Sequence, residues 1–249
     1  MEVSWAERFF TLAVTHRVNV GLLDPFLRLA QAETQLGLDP GIGRLIRKRF
    51  RYLEEGVRRV EKASEIPYPP FYVEPVLPVA TSSVELGQIG ILYARTLPLE
   101  TASRLEIWIQ FSAPLVAFAS RWTVHAVAAH EFMHYVELVR RFTRMDTTSD
   151  EVATTLFEAQ YADREDLFDP NALLQDKALV RLVGKKFPGG LVDEKLHAKT
   201  VSQWLEKGRP AARLPPESNV VKIKVSSLLN TSFDPLLRAK LIALEPARP

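Results

Sequence analysis

The sequence contains no cysteine among its 249 residues, and it has only five histidines. The absence of cysteine excludes disulfide bonds, thiolate nucleophiles and every zinc site that uses cysteine ligands. A zinc site in this chain would therefore have to be built from histidine, glutamate or aspartate. With five histidines, few ligand sets need to be considered.

A membrane-spanning run and a leader segment are two further features that we do not expect in this sequence. No stretch approaches the roughly eighteen consecutive apolar residues that indicate a membrane-spanning helix. The first residues, MEVSWAERFFTLAV, lack the basic leader and the small-residue cleavage site of a signal peptide. Hydrophobic residues make up 47% of the chain and charged residues 25%, values typical of a soluble globular protein. We therefore expect a cytoplasmic protein with no membrane partner.

The charge is unevenly distributed and divides the chain into three regions. Residues 1–66 carry a net charge of +2, residues 67–170 carry −7, and residues 171–249 carry +7. Five prolines between Pro67 and Pro78 mark a boundary, because proline interrupts helices. We predict a helical N-terminal region (1–66), a core region (67–170) and a basic, mainly helical C-terminal region (171–249). The opposite charges further suggest that the basic region packs over the acidic core and limits access to its site.

The periodicity of apolar residues predicts an α+β fold. Asp24 and Pro25 have the residue types of a helix start, and a break at DPGIGR precedes a second helical stretch. Alternating apolar residues predict strands at 89–95 and 104–112, which a single long helix over 120–144 follows. A break at MDTTSDE then leads into another helix ending near residue 168. The last third is predicted to contain helices, one of them at VDEKLHAKTVSQWLEKG, and a strand at NVVKIKVSS.

The long helix carries the motif HEFMH, residues 130–134. On a helical wheel the polar residues of this helix form one narrow stripe, whose members are Thr123, His130, His134, Glu137 and Arg141. Histidines four residues apart lie on neighbouring turns of one face, which suits two tetrahedral positions on one zinc ion. Glu131 lies about 100° away, where a base can take a proton from the water that zinc activates. An alternative is a buried helix with two hydrogen-bonded histidines.

The order LEIWIQFSAPLVAF, VHAVAAHEFMHYVE and then an acidic helix resembles the core of gluzincin-type zinc peptidases. The resemblance covers about residues 85–168 and implies a zincin-like core with helical flanking regions. It also implies that His130 and His134 bind Zn²⁺, that Glu131 is the general base, and that a glutamate of the next helix is the third ligand. The HEFMH segment lacks the third histidine of metzincins.

Two glutamates of the following helix are candidates for the third ligand. Glu158 and Glu151 are seven residues apart and share a helix face, so facing direction does not choose between them. In an antiparallel hairpin, a ligand must lie as far from the turn as His134, roughly 10–15 Å. Glu158 meets that condition, whereas Glu151 stays in the first turn, where an acidic residue stabilises the helix dipole. We predict Glu158, with Glu151 as the reserve.

Three further residues have simpler interpretations. His125 lies on the apolar side of the helix, which indicates a core histidine with its hydrogen bonds satisfied. His197 is interpreted as a surface residue, with a role in stabilising an oxyanion as the alternative. Glu137 shares the histidine stripe but is spaced to pair with Arg141, four residues later.

These features predict a zinc-dependent metallopeptidase that acts on peptide or protein substrates, with the strand at 105–111 beside an extended substrate. The alternative is a zincin-fold binding or regulatory protein with little or no catalysis. A third hypothesis is a nucleic-acid-binding regulator that uses Arg47, Lys48 and Arg49, although we do not expect a nucleic-acid partner. The oligomeric state stays open.

Overall fold

The fold is α+β, as the sequence predicts. The computed structural model of the chain describes residues 24–81, 89–100, 104–144, 168–214, 227 and 229–244. Within these ranges, no helix combines the length and the apolar character needed to cross a membrane. The helix predicted after MDTTSDE and most of the strand predicted at NVVKIKVSS fall outside the described residues.

The described helices precede the first strand, separate β5 from β6, and follow β6 in the sequence. In chain order they are α1 (Leu27–Gln35), α2 (Pro40–Arg49), α3 (Arg51–Ser64), α4 (Ala113–Phe118), α5 (Arg121–Arg144), α6 (Pro170–Leu173), α7 (Lys177–Lys186), α8 (Glu194–Thr200) and α9 (Pro235–Leu244). A π-helical turn, Val201–Leu205, continues α8.

Six described strands form two three-stranded sheets. They are β1 (Phe71–Glu74), β2 (Leu77–Thr81), β3 (Ile89–Ile91), β4 (Ala94–Glu100), β5 (Leu105–Ser112) and β6 (Ala211–Leu214). The first sheet has the order β1-β5-β4, with β5 parallel to β1 and antiparallel to β4. The second has the order β3-β2-β6, with β2 antiparallel to β3 and parallel to β6.

The N-terminal helices begin at different residues than the sequence suggested. Asp24 accepts a hydrogen bond from the backbone N–H of Phe26 in a turn, and α1 begins only at Leu27. The segment DPGIGR is not a break, because Asp39 caps α2 and Pro40 is its first residue. The chain instead turns before Asp39, where Gly37 adopts a φ of 65° that favours glycine.

Strand positions also differ in detail from the prediction. The proline-rich segment contains β1 and the first two residues of β2, because its residues between prolines are free to extend. The strand predicted at 89–95 is divided into β3 and the start of β4. The strand predicted at 104–112 and the helix predicted at 120–144 are confirmed as β5 and α5, and the short helix α4 was not foreseen.

Buried apolar residues from all three predicted regions form one hydrophobic core. Leu53 of α3, Phe132 of α5 and Trp204 of the π-helical turn are all fully buried in it. β6 joins the C-terminal region to the second sheet, and α7 packs against α5. The basic region is therefore an integral part of the structure around α5.

Candidate metal centre

Helix α5 positions the candidate site in the interior of the protein. The Ser120 hydroxyl accepts a hydrogen bond from the Thr123 backbone N–H at 3.0 Å, which satisfies one of the free donors at the start of the helix. The helix packs closely on α3 at Gly56, where an added Cβ would lie 3.2 Å from Cδ2 of His125. Glycine at this position therefore permits the close approach of the two helices.

The two histidines of HEFMH face each other through the same ring nitrogen. Nε2 of His130 lies 3.0 Å from Nε2 of His134, and the ring planes are nearly perpendicular at 82°. His130 is buried, with 5% of its surface exposed, whereas His134 is half-buried. Two nitrogens bound at ~2.05 Å to one tetrahedral zinc ion would be about 3.3 Å apart. The donor type and the separation of these nitrogens therefore fit two zinc ligands, and they equally fit a hydrogen bond between neutral imidazoles.

Glu131 is buried beside the histidine pair and is held by the edge of the first sheet. The hydroxyl of Thr96, on β4, lies 3.0 Å from Glu131 Oε2 and 3.1 Å from the Glu131 backbone oxygen. This hydroxyl donates to α5 and holds the Glu131 carboxylate toward β4. The sequence analysis missed Thr96, since alternation within a short strand gives no signal of a partner 35 residues away.

The C-terminal region covers one face of His130 with an aromatic ring. Phe187, directly after α7, stacks on His130 with ring centroids 3.8 Å apart and an angle of 6° between the planes. Thr123 lies about two helical turns before His130. Its hydroxyl donates to Asp193 Oδ2 at 2.5 Å. Asp193 also pairs with Lys186 at 2.7 Å. Burial alone would raise the pKa of Asp193, but these two hydrogen bonds keep it below its usual value.

The charge difference between the regions predicted that the basic region packs over the acidic core. The described contacts of the C-terminal region with His130 and Thr123 are not ion pairs. The contact with His130 is a stack of two rings, and the contact with Thr123 is a hydrogen bond. Phe187 was missed because a lone aromatic residue in a loop carries no sequence signal of its partner.

Two other polar residues of α5, Glu137 and His125, differ in whether they have a hydrogen-bond partner. Glu137 is buried and pairs with Arg140 at 2.5 Å and with Arg141 at 3.1 Å, so the pair predicted with Arg141 forms. His125 is a core residue, but the prediction that its hydrogen bonds are satisfied is wrong. Within the described part of the chain, neither of its ring nitrogens has a hydrogen-bond partner. Oε2 of Glu55 lies 3.9 Å from its Nε2.

Burial of the His125 ring lowers its pKa to about 4. The positive charges of Arg59 and Arg121 act in the same direction, and Glu55 opposes them. His197 is exposed on α8, as predicted for a surface residue.

The predicted third ligand is outside the described residues, as is its reserve. Glu158 and Glu151 both lie between residues 145 and 167. Among the residues that are described, no third histidine, aspartate or glutamate joins the pair to form a three-ligand group. The position of the third ligand therefore stays a prediction.

Comparison with protein-family models, with curated proteins and with solved structures gave no match.

Proposed function

We propose that this chain is a zinc-dependent metallopeptidase with a zincin-like core formed by the first sheet and α5. One observation carries the proposal: two histidine Nε2 atoms converge to 3.0 Å on a buried helix beside a buried glutamate. His130 and His134 would hold Zn²⁺, with Glu158 as the predicted third ligand and Glu151 as its reserve. A zinc ion here would supply a Lewis acid and a water of lowered pKa.

Glu131 is proposed as the general base. Its carboxylate has a fixed hydrogen bond from Thr96 to Oε2, which leaves Oε1 as the oxygen for proton transfer. In peptide hydrolysis Glu131 takes a proton from the attacking water and delivers it to the leaving amine, so the carboxylate is regenerated. Glu131 thus ends the reaction in the same protonation state in which it began.

The outer edge of β4 is proposed as the binding site for an extended peptide. The prediction placed the substrate beside 105–111, but β5 is the central strand of its sheet and has partners on both sides. Among the described strands, β4 pairs only with β5. A peptide bound there would run past Thr96, whose hydroxyl contacts Glu131.

The backbone of β4 is arranged in keeping with this proposal. The Ser112 N–H donates to the Tyr93 carbonyl at 2.8 Å, which sets the alternation of hydrogen-bonded pairs between β4 and β5. By this alternation, Thr96 and Pro98 direct their main-chain groups away from β5. Pro98 has no N–H to donate, which suits an outward position on an edge strand. Thr96 thus presents one donor and one acceptor to a peptide.

A second function is favoured by a specific observation, the stack of Phe187 on His130. A histidine pair in which one ring is buried and covered is also what a non-catalytic zincin-fold protein would have if the pair served only to hold α5 in place. In that case the chain would bind a partner through other surfaces and would not cleave peptides.

Peptide cleavage by the zinc-loaded chain distinguishes the two functions. We expect the wild-type protein to cleave members of a broad peptide library, and Glu131→Gln to reduce turnover by ~10³-fold or more while zinc content stays unchanged. Glu54→Gln, at an exposed glutamate of α3, is the matched control and should behave as wild type. Unchanged turnover in Glu131→Gln would remove the base assignment, and no cleavage by wild type would favour the binding function.

A further inference from the structure

Phe187 contacts His130, a proposed zinc ligand, in a way that restricts the orientation of its imidazole ring. Its ring is parallel to the His130 imidazole within 6°, at a centroid separation of 3.8 Å. A planar ring in full contact on one face prevents the imidazole from tilting toward that face. The plane of His130, and with it the direction in which Nε2 points, therefore depends on the position of Phe187.

The position of Phe187 is itself fixed by the helix before it. Leu179 and Val183 bury one side of α7, and α7 packs against α5. Asp176 caps the start of α7 and also pairs with Arg59 of α3 at 2.6 Å. The Phe187 N–H donates to the Val183 carbonyl at 2.9 Å, so the helix hydrogen bonding continues to Phe187 itself.

The loop that follows Phe187 is closed at both of its ends. The Val192 N–H donates to the Lys186 carbonyl at 2.8 Å, and the Lys186 ammonium pairs with Asp193 at 2.7 Å. Gly190 has a φ of 133°, a conformation that only glycine adopts without strain. Asp193 in turn accepts the hydrogen bond from Thr123 on α5. The loop over residues 186–193 is thus anchored to the same helix that carries His130.

We propose that Phe187 is a positioning residue of the metal centre, which holds the His130 imidazole in the plane that aims Nε2 at the position shared with His134. This inference rests on the proposed zinc site. Residues around a metal centre orient its ligands and limit solvent access, and their loss weakens metal binding by about 10- to 100-fold. A parallel aromatic ring does both for His130, since it fixes the plane and covers one face.

The test uses two variants of the full chain that separate ring stacking from apolar burial. Phe187→Leu keeps an apolar side chain of similar size but removes the planar ring, and Phe187→Tyr retains the ring. Phe168→Leu is the matched control, because Phe168 is a half-buried phenylalanine that contacts Arg140 on another part of α5. Thermal unfolding of each variant establishes that it is folded.

The first measurement is made on the metal-free protein and does not require zinc binding. Diethylpyrocarbonate acylates accessible imidazole nitrogens, and mass spectrometry of peptides gives the rate at each histidine. We expect Phe187→Leu to raise the acylation rate of His130 about tenfold, with Phe187→Tyr and Phe168→Leu close to wild type. The rate at the exposed His197 serves as an internal reference and should be equal in all four proteins.

The second measurement is the rate at which a chelator removes Co²⁺ or Zn²⁺ from the loaded protein. Phe187→Leu should lose metal about tenfold faster than wild type, and Phe187→Tyr should restore the slow rate. Equal rates for the leucine and tyrosine variants in both measurements would overturn the role of Phe187. If wild type takes up no metal, the zinc proposal fails, and the acylation rates still decide whether Phe187 holds His130.

Discussion

His125 and the pair His130–His134 lie on one helix and are surrounded very differently. His125 packs against Gly56 of α3, and within the described residues its ring nitrogens have no hydrogen-bond partner. Nε2 of His130 lies 3.0 Å from Nε2 of His134, with Glu131 next to them in sequence. One histidine is thus buried against α3 without a hydrogen bond to any described residue, while the other two direct the same kind of atom at one position.

The difference in surroundings follows from the side of α5 on which each histidine lies. His130 and His134 are separated by four residues and share a face, whereas His125 is five residues before His130 and is turned away from it. Helix α5 presents one side to α3 and another to β4 and α7. A residue type that we propose as a metal ligand on one side of α5 is a buried, neutral group on the other.

The largest expected effect is a loss of folding stability at acidic pH, caused by the burial of His125. Its pKa in the folded protein is about 4, below the ordinary value of 6.5, so the unfolded chain takes up a proton first as the pH falls. Stability contributed by the neutral ring is complete above pH ~6.5 and is lost between pH ~6.5 and ~4. We expect a loss of about 2 kcal/mol between pH 7.5 and pH 5 from this group.

Urea unfolding of wild type and His125→Leu at both pH values measures that loss. The free energy of unfolding of His125→Leu should change less between the two pH values than that of wild type, by the amount that His125 contributes. His197→Gln, at an exposed histidine, is the control and should show the wild-type change. If His125→Leu and wild type lose equal stability, His125 is not buried as a neutral group.

The next test concerns the proposed third zinc ligand, which would complete the site of His130 and His134. Glu158→Ala is expected to weaken zinc binding by at least ~10-fold, because removal of a ligand leaves only two protein donors. Glu151→Ala should reduce stability alone, through loss of an acidic residue in the first helical turn. Competition with a chromophoric zinc chelator gives both affinities, and the opposite ranking would make Glu151 the ligand.

A smaller effect is expected at Thr96, which connects the histidine side of α5 to β4. Thr96→Val keeps the shape of the side chain and removes the 3.0 Å hydrogen bond to Glu131. A hydrogen bond to a charged group contributes about 1.5 kcal/mol, so kcat should fall about tenfold while zinc affinity is retained. Thr96→Ser should restore turnover. Equal kcat for the valine and serine variants would show that Thr96 does not position the base.

Local patterns in the sequence were sufficient for the elements that carry the histidines. Alternation predicted β5, and helical periodicity predicted α5 to within one residue at its start. The spacing of His130 and His134 placed both on one face of that helix. These features depend on neighbours within a few residues, and that is the range at which periodicity carries information.

The parts that sequence could not supply depend on distant partners. Thr96 meets Glu131 because β4 pairs with β5, and Phe187 meets His130 because α7 packs on α5. Neither contact leaves a trace in local composition. The central position of β5 in its sheet was likewise not visible from the sequence, since it follows only from the order of the strands.

The metal content of the purified protein and its histidine variants tests the central claim most directly. We predict close to one zinc per chain for wild type and for His125→Ala, and none for His130→Ala or His134→Ala after the same zinc reconstitution and dialysis. Circular dichroism confirms that each variant is folded. Stoichiometric zinc in the double variant of His130 and His134, or a wild-type protein that binds no zinc, would contradict the account.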